Sequence, residues 1–421
     1  TPQTITVLKS ELLEDQGVAT LSEALRNVPG ITFTMGENGN TTTGDSVFMR
    51  GFDTSGSIFV DGIRDLGTVS RDTFNIEQVE IVKGPSGADN GRSAPTGYLN
   101  LSSKAPTAED AIRVGLTGGI ENRVRATVDT NLALEGAWGA ALRFNAMYDA
   151  SDKPGRDYAE NRRWGFAPSV AFGLGSDTRF YANYLFVAQE NLPDGGTPSL
   201  GFPGYSNTLF GTVVAPRVDT SNFYGSPSDF DDVEANMITT RIEHDLGANA
   251  TLRNVTRYGR TNQQYVLTGI NAIAVPNLAN PASWTVTRSR QGKDQINEVL
   301  TNQTGLVSSF ATGAVTHDLS GGFEIIQERQ RALGFTTSGT TSNANLYNPS
   351  TADSFARVVP SGAVTDGKTL TAALYAVDTL HFGPKWLLTV GARFERYKTE
   401  YSSKPATTVA VQTPALLEDA D

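Results

Sequence analysis

From residue 111 to its end the chain alternates apolar and polar side chains with a period of two, and that pattern restricts it to strands. Ile112, Val114 and Leu116 alternate with Arg113, Gly115 and Thr117. Val124, Ala126, Val128, Leu132 and Leu134 alternate with Arg123, Arg125, Thr127, Asp129 and Asn131. Trp138, Ala140, Leu142, Phe144, Ala146 and Tyr148 alternate with Gly139, Arg143, Asn145 and Asp149. The same holds around Trp164–Leu174 and Trp386–Phe394. A strand throws successive side chains to opposite faces, so each run predicts one apolar and one polar face.

A soluble sandwich alternates as well, but three features favour a membrane barrel. The runs are roughly 10–14 residues long, against about 5–6 for globular strands. Aromatics sit near the ends of apolar faces, as with Trp138 and Tyr148, which fits interfacial girdles. Connections alternate in length: short turns at Glu135–Ala137, Gly175–Asp177, Gly247–Asn249 and Gly383–Lys385, long loops near Ser151–Glu160, Gln189–Asp232, Thr261–Lys293 and Ala332–Gly367. Weaker strands at Ala235–Leu246, Thr251–Gly259, Asp294–Phe310, Ala314–Arg331 and Thr369–Phe382 bring the expected count to eleven. No charge-free stretch is an unbroken apolar run of the roughly 20 residues that a spanning helix needs. A closed barrel needs no such run.

The net charge of -11 argues against nucleic acid as a partner, because phosphate binding needs a basic stripe. Cysteine is absent, which removes disulfides, thiolate metal sites and thiol nucleophiles. The chain opens at Thr1-Pro2 with neither a basic start nor an apolar core, so no signal peptide is expected in this form.

Residues 1–107 have another character. Helical spacing at Ser10–Asp15 and Thr20–Val28, with Ser10 and Thr20 as N-caps, is followed by extended runs at Gly30–Thr34, Ser46–Arg50, Ser57–Val60 and Gln78–Val82. This predicts a small α+β unit that gains from enclosure. It contains Leu21-Ser22-Glu23-Ala24-Leu25-Arg26-Asn27-Val28-Pro29-Gly30, Met49-Arg50-Gly51-Phe52, Val60-Asp61-Gly62, Ile76-Glu77-Gln78-Val79-Glu80-Ile81-Val82-Lys83-Gly84-Pro85, and Gly91-Arg92-Ser93-Ala94-Pro95-Thr96-Gly97-Tyr98-Leu99-Asn100. In type, order and spacing these motifs resemble the plug domain of TonB-dependent outer-membrane receptors. The run from Lys83 to Gly97 is most similar to the branch that imports ferric catecholate siderophores.

The resemblance implies an α+β plug domain (1–107) inside a transmembrane antiparallel β-barrel of the 22-stranded type, with 108–421 its N-terminal half and about the first eleven strands. The chain is then expected to be a fragment, without the periplasmic coupling segment and with its two sheet edges unable to pair. The implied function is binding of a ferric siderophore and import energised by TonB and its inner-membrane complex. The implied setting is the bacterial outer membrane, in contact with its lipid, as a monomer. Iron is cargo held by the siderophore, so no cofactor and no covalent chemistry are expected.

Arg50 and Arg92 read alone as solvated arginines; by resemblance they make plug–barrel pairs, with partner carboxylates here or beyond residue 421. For the ligand, a flat aromatic anion calls for aromatic faces and a few cations. The plug turns supply Met35, Asn38, Arg64 and Arg71, and the long loops supply Tyr205, Phe210, Tyr224 and Trp284, beside Phe202 and Phe223. For any one loop aromatic, packing loop upon loop is the competing reading. Rival functions are a receptor for cobalamin, haem or a glycan, or a passive porin, which needs no plug. An enzyme is not expected: His244, His317 and His381 lack metal spacing and read as structural, and no P-loop lysine is present. Asp229, Asp231, Asp232 and Glu234 lack EF-hand spacing and read as a solvated acidic loop.

Overall fold

The computed structural model describes residues 4–33, 44–67, 69–84, 96–134, 136, 138–205 and 214–406. Met35, Asn38, Arg92 and Phe210, among the expected site residues, lie outside them.

The N-terminal unit opens with β1 (Thr4–Lys9), α1 (Ser10–Asp15) and α2 (Leu21–Leu25). There follow β2 (Ile31–Phe33), β3 (Val47–Met49), β4 (Phe52–Asp53), β5 (Ile58–Val60), β6 (Ile63–Arg64), β7 (Ile76–Lys83) and β8 (Gly97–Ser103). A five-stranded sheet runs β1-β7-β8-β5-β6, and β2-β3-β4 form a second small sheet. Leu13, Leu21, Leu25, Val47, Met49, Val79, Ile81, Leu99 and Leu101 are among the side chains that close the core between sheet and helices. Thr20 starts α2 through a capping box: its hydroxyl accepts the Glu23 N–H at 3.2 Å, and the Glu23 carboxylate accepts the Ala19 and Thr20 N–H groups. The expected helix over Thr20–Val28 is therefore shorter, and α1 is preceded by Lys9 with no side-chain cap in place of the expected Ser10. Glycine is required at 97, where φ is 127° and a Cβ would lie 1.9 Å from the Val82 carbonyl oxygen.

The second unit is one long antiparallel sheet. Its strands are β9 (Ala111–Gly118), β10 (Val124–Leu134), β11 (Ala140–Asp152), β12 (Glu160–Phe172), β13 (Thr178–Leu192), β14 (Phe230–Asp245), β15 (Ala250–Ala274), β16 (Thr285–Thr312), β17 (Val315–Ser338), β19 (Arg357–His381) and β20 (Leu387–Lys404). These eleven pair in chain order, and the short β18 (Ala344–Asn345) adds to β16. Among the described residues β9 and β20 do not pair, so the sheet is open. Leu142, Phe144, Trp386 and Phe394 are exposed on the outer face, whereas Arg143 is buried on the inner one, as the alternation requires.

Two expected loops are largely strand. Thr261–Lys293 and Ala332–Gly367 are occupied mainly by the far ends of β15, β16, β17 and β19. β16 has 28 residues, where about 9–11 suffice to cross a bilayer, so these hairpins stand well clear of the membrane. Their Asn-, Gln- and Thr-rich sequence gave no apolar face to read, because both faces there meet water or other loops.

Candidate ligand vestibule and plug anchors

The plug is fastened to the inner face of the sheet by buried ion pairs. Asp72 accepts two hydrogen bonds from the Arg125 guanidinium, at 2.7 and 2.8 Å. Arg163 Nε lies 3.0 Å from the same carboxylate without hydrogen-bond alignment, and Arg125 also reaches Asp149 at 3.0 Å. All four side chains are almost fully buried. Burial alone would raise the Asp72 carboxyl, but Arg163, Arg125 and the Phe74 N–H outweigh it and hold it below the usual carboxylate range.

A second anchor grows from a turn. Asp61 and Gly62 join β5 to β6 with φ of 52° and 80°, the positive values that a two-residue hairpin turn requires. The turn presents the Asp61 carboxylate to Ser103, whose N–H and hydroxyl it accepts, and to Arg257 of β15 at 2.7 Å. Arg257 donates to the Val60 carbonyl at 2.6 Å and to Thr239 at 2.8 Å, and is itself fully buried. Arg64 completes the set with a looser contact to Glu328, 3.4 Å.

On the rim of the longer loops, plug and wall leave a cavity of about 470 Å³. Its floor is Thr20, Ser22 and Glu23 at the start of α2 with Arg26 at its end, and its wall carries Arg123, Asp152, Lys153, Asn161 and Arg163. Asp149 is already committed to Arg125. Lys153 Nζ is buried with no hydrogen-bond partner among the described residues, and Asp194 is 4.0 Å away. Burial, with Arg156 nearby, pushes its ammonium below the usual lysine range against the pull of Asp194. Such a group gains from an incoming anion.

Several expected site residues have other occupations. Arg50 is exposed at φ 51° and forms no ion pair among the described residues, and the described anchors pass through Asp61, Asp72 and Arg64. Arg71 is buried within the plug between Asp45 (3.2 Å) and Asp65 (2.7 Å). Arg64 is held by Glu328 and by the Gly56 carbonyl. Tyr224 and Trp284 are the centre of a loop core with Leu200, Val218, Val286, Ala344 and Leu346. The Tyr224 hydroxyl donates to the Leu346 carbonyl and the Trp284 indole to the Asn277 carbonyl, and Tyr205 packs against this cluster. Packing loop upon loop is thus what these aromatics do. Asp229, paired with Arg290 at 2.7 Å, and Asp231 are buried, which corrects the reading of a solvated acidic loop for these two, whereas Asp232 and Glu234 are exposed on β14. His317 and His381 pair with Asp378 and Asp318, and the described residues hold no metal-ligating cluster.

Arg125 and Arg163 are legible as polar members of the alternation, whereas Arg257 falls in a weaker strand whose faces the sequence does not separate. The partners Asp61 and Asp72 are not legible, since nothing in a local motif marks which plug carboxylate faces a wall.

A folded plug ion-paired to the polar face of an antiparallel, apolar-backed wall defines a plugged outer-membrane receptor. The chain belongs to the TonB-dependent receptor family: the TonB-dependent Receptor Plug Domain matches residues 1–98, and the TonB dependent receptor-like β-barrel matches residues 171–417. It is accordingly a protein of the outer membrane. It is similar to the catecholate siderophore receptor Fiu of Escherichia coli K12, 46% identical over 414 residues that make up 96% of this chain and 54% of Fiu. The crystal structure of that ferric-catecholate import receptor in its closed form superposes with a TM-score of 0.91 at 44% identity, covering 98% of this chain and 58% of the other. The siderophore receptor PiuA from Acinetobacter baumannii superposes at 0.86 and 29% identity, covering 97% and 60%. The chain spans about half the length of the curated relatives it matches.

Proposed function

We propose that this chain forms the plug (1–107) and the N-terminal half of the barrel (108–421) of a 22-stranded receptor that binds a ferric catecholate siderophore and imports it with energy delivered through TonB. The observation that carries the reading is the loop-side cavity, floored by the plug and supplied with Arg26, Arg123, Lys153 and Arg163. Its volume falls within the roughly 300–1,000 Å³ of small-molecule sites, and its cations suit an anionic chelate. The relatives named for catecholate import support the substrate class. Iron enters as cargo held by the siderophore; no resident cofactor and no covalent step are invoked, and the receptor acts as a monomer in lipid. Arg64, Tyr205, Tyr224 and Trp284 serve the ligand by shaping plug and loops. The plug's ion pairs weigh against a passive porin.

The test is uptake by the full-length receptor of a panel of ferric catecholates, a ferric hydroxamate, cobalamin and haem, in cells with and without TonB. Catecholate-selective uptake that stops without TonB is expected. Uptake of another class, or uptake indifferent to TonB, overturns the reading.

A further inference from the structure

The short-turn rim of the wall carries a cluster that substrate import does not use. Thr312, the last residue of β16, shares a hydrogen bond with His317 Nε2 at 2.7 Å, and Asp378 of β19 lies 2.7 Å from His317 Nδ1. An ionised carboxylate can only accept, so Nδ1 donates to Asp378, and Nε2 of the neutral ring is left to accept the Thr312 hydroxyl. Phe310 stacks on the imidazole, 4.8 Å between ring centres and 5° from parallel, and fixes its plane. Thr312, His317 and Asp378 stand in step by twos with the exposed Leu300, Phe323 and Leu374, so the cluster lies on the outer face.

Among the described residues the other two histidines have one side-chain partner each: His244 meets the Thr178 hydroxyl, and His381 the Asp318 carboxylate. His317 joins a hydroxyl and a carboxylate through its two nitrogens, the order in which a nucleophile, a general base and an orienting acid stand. Asp378 Oδ1 is buried with no hydrogen-bond partner among the described residues, so the carboxylate is turned to the imidazole alone. It there stabilises the imidazolium that forms when Nε2 takes a proton. Gly313 and Ala314 close the hairpin after Thr312, Gly313 at φ 65° with open space where a Cβ would stand. Their backbone N–H groups form no hydrogen bond among the described residues, which leaves two donors next to the exposed hydroxyl for an oxyanion.

We propose that Thr312, His317 and Asp378 form a hydrolytic triad for the acyl esters of a diacyl phospholipid in the leaflet on the short-turn side, which in such barrels is the periplasmic one. Leu388 and Val390, exposed opposite Leu380 and Asp378, receive the acyl chain, and Thr312 stands at the strand end, where ester linkages meet water. Thr312 Oγ1 attacks the ester carbonyl carbon as its proton passes to His317 Nε2. The bond to the lipid alcohol breaks, and that oxygen takes the proton from Nε2. Water, giving a proton to the same Nε2, then attacks the acyl ester on Thr312. The bond to Oγ1 breaks, the fatty acid leaves, and the proton returns to Oγ1. This activity is separate from import and does not rest on it.

The full-length receptor, purified in detergent, is mixed with micelles of a diacyl phospholipid, and released fatty acid is measured. A fluorophosphonate probe, which phosphonylates activated hydroxyls, is mapped on the same preparation by peptide mass spectrometry. The wild type is expected to release fatty acid and to carry the label on Thr312. Thr312→Ala loses both, and Thr312→Ser, which restores a hydroxyl, regains them. Asp378→Asn slows release roughly ten-thousandfold, the loss that follows when a triad carboxylate becomes an amide. Heat-dependent gel mobility checks that each variant folds. Should Asp378→Asn not fold, the wild type and Thr312→Ala carry the test. No release by the wild type, a label absent from Thr312, or unchanged release by folded Thr312→Ala overturns the proposal.

Discussion

Replacing Asp72 by Asn leaves the shape of the anchor and removes its charge. The Arg125 guanidinium loses a bidentate acceptor, Arg163 loses its nearest carboxylate, and both stay buried. Breaking a buried pair by removing one partner costs about 3–5 kcal/mol. Asp149, 3.0 Å from Arg125, still compensates part of the charge, which sets the expectation at the lower end, about 3 kcal/mol. Hydrogen exchange of residues 69–76 in the full-length receptor reads this directly. Protection is expected to fall about a hundredfold, since each 1.4 kcal/mol is a factor of ten. The double variant Asp72→Asn/Arg125→Leu should recover part of the loss, because the asymmetry lies in stranding one buried partner. Protection within twofold of wild type, or a double variant worse than the sum of its parts, would refute the argument.

Acid should act through the same carboxylate. Asp72 is depressed in the folded state, so its stabilisation is complete above the unfolded carboxylate value of about 4 and is lost as pH falls through the lower folded value. Exchange of residues 69–76, corrected for intrinsic rates, should be flat from about pH 5 to 8 and rise only below about 4; a transition near neutrality would count against it. Gly97→Ala drives a Cβ into the Val82 carbonyl at positive φ, and protease resistance of the plug should be lost; an intact plug would show that β7 and β8 can separate at little cost. Trp284→Ala empties the loop core at a cost of about 3–5 kcal/mol. Exchange should rise in 214–229 and 339–349 while the plug amides keep wild-type protection, and a change spread into the plug would contradict the separation of loop core and anchor.

The alternation from residue 111 was a reliable guide because one face meets lipid and the other the plug, so a shifted register would expose Arg143 and bury Leu142. It failed where that contrast ends, in the outer parts of β15 to β19, whose polar sequences pair through backbone and through polar side chains such as Gln264 with Asp294 and Asn271 with Ser289. β1 and β8 went unread in the plug: Thr4–Lys9 is an edge strand with Ile5 and Val7 exposed, and Gly97–Ser103 follows a run dominated by turn residues. At the site, Arg71 looked like a ligand cation because its charge was visible and its partners Asp45 and Asp65 were not. Trp284 and Tyr224 looked like ligand faces for the same reason: a sequence shows an aromatic, not the carbonyl that accepts its hydrogen bond.

The anchors also differ in how much chain each one encloses. Asp72 and Arg125 are 53 residues apart, Asp61 and Arg257 196, and Arg64 and Glu328 264. Loop-closure entropy grows as the logarithm of that separation, so the first clasp costs roughly 1.4 kcal/mol less to close than the last. It joins the plug to β10, the second strand to follow it. The most deeply buried fastening is therefore also the cheapest to close, and the loosest, Arg64 to Glu328, carries the largest closure cost.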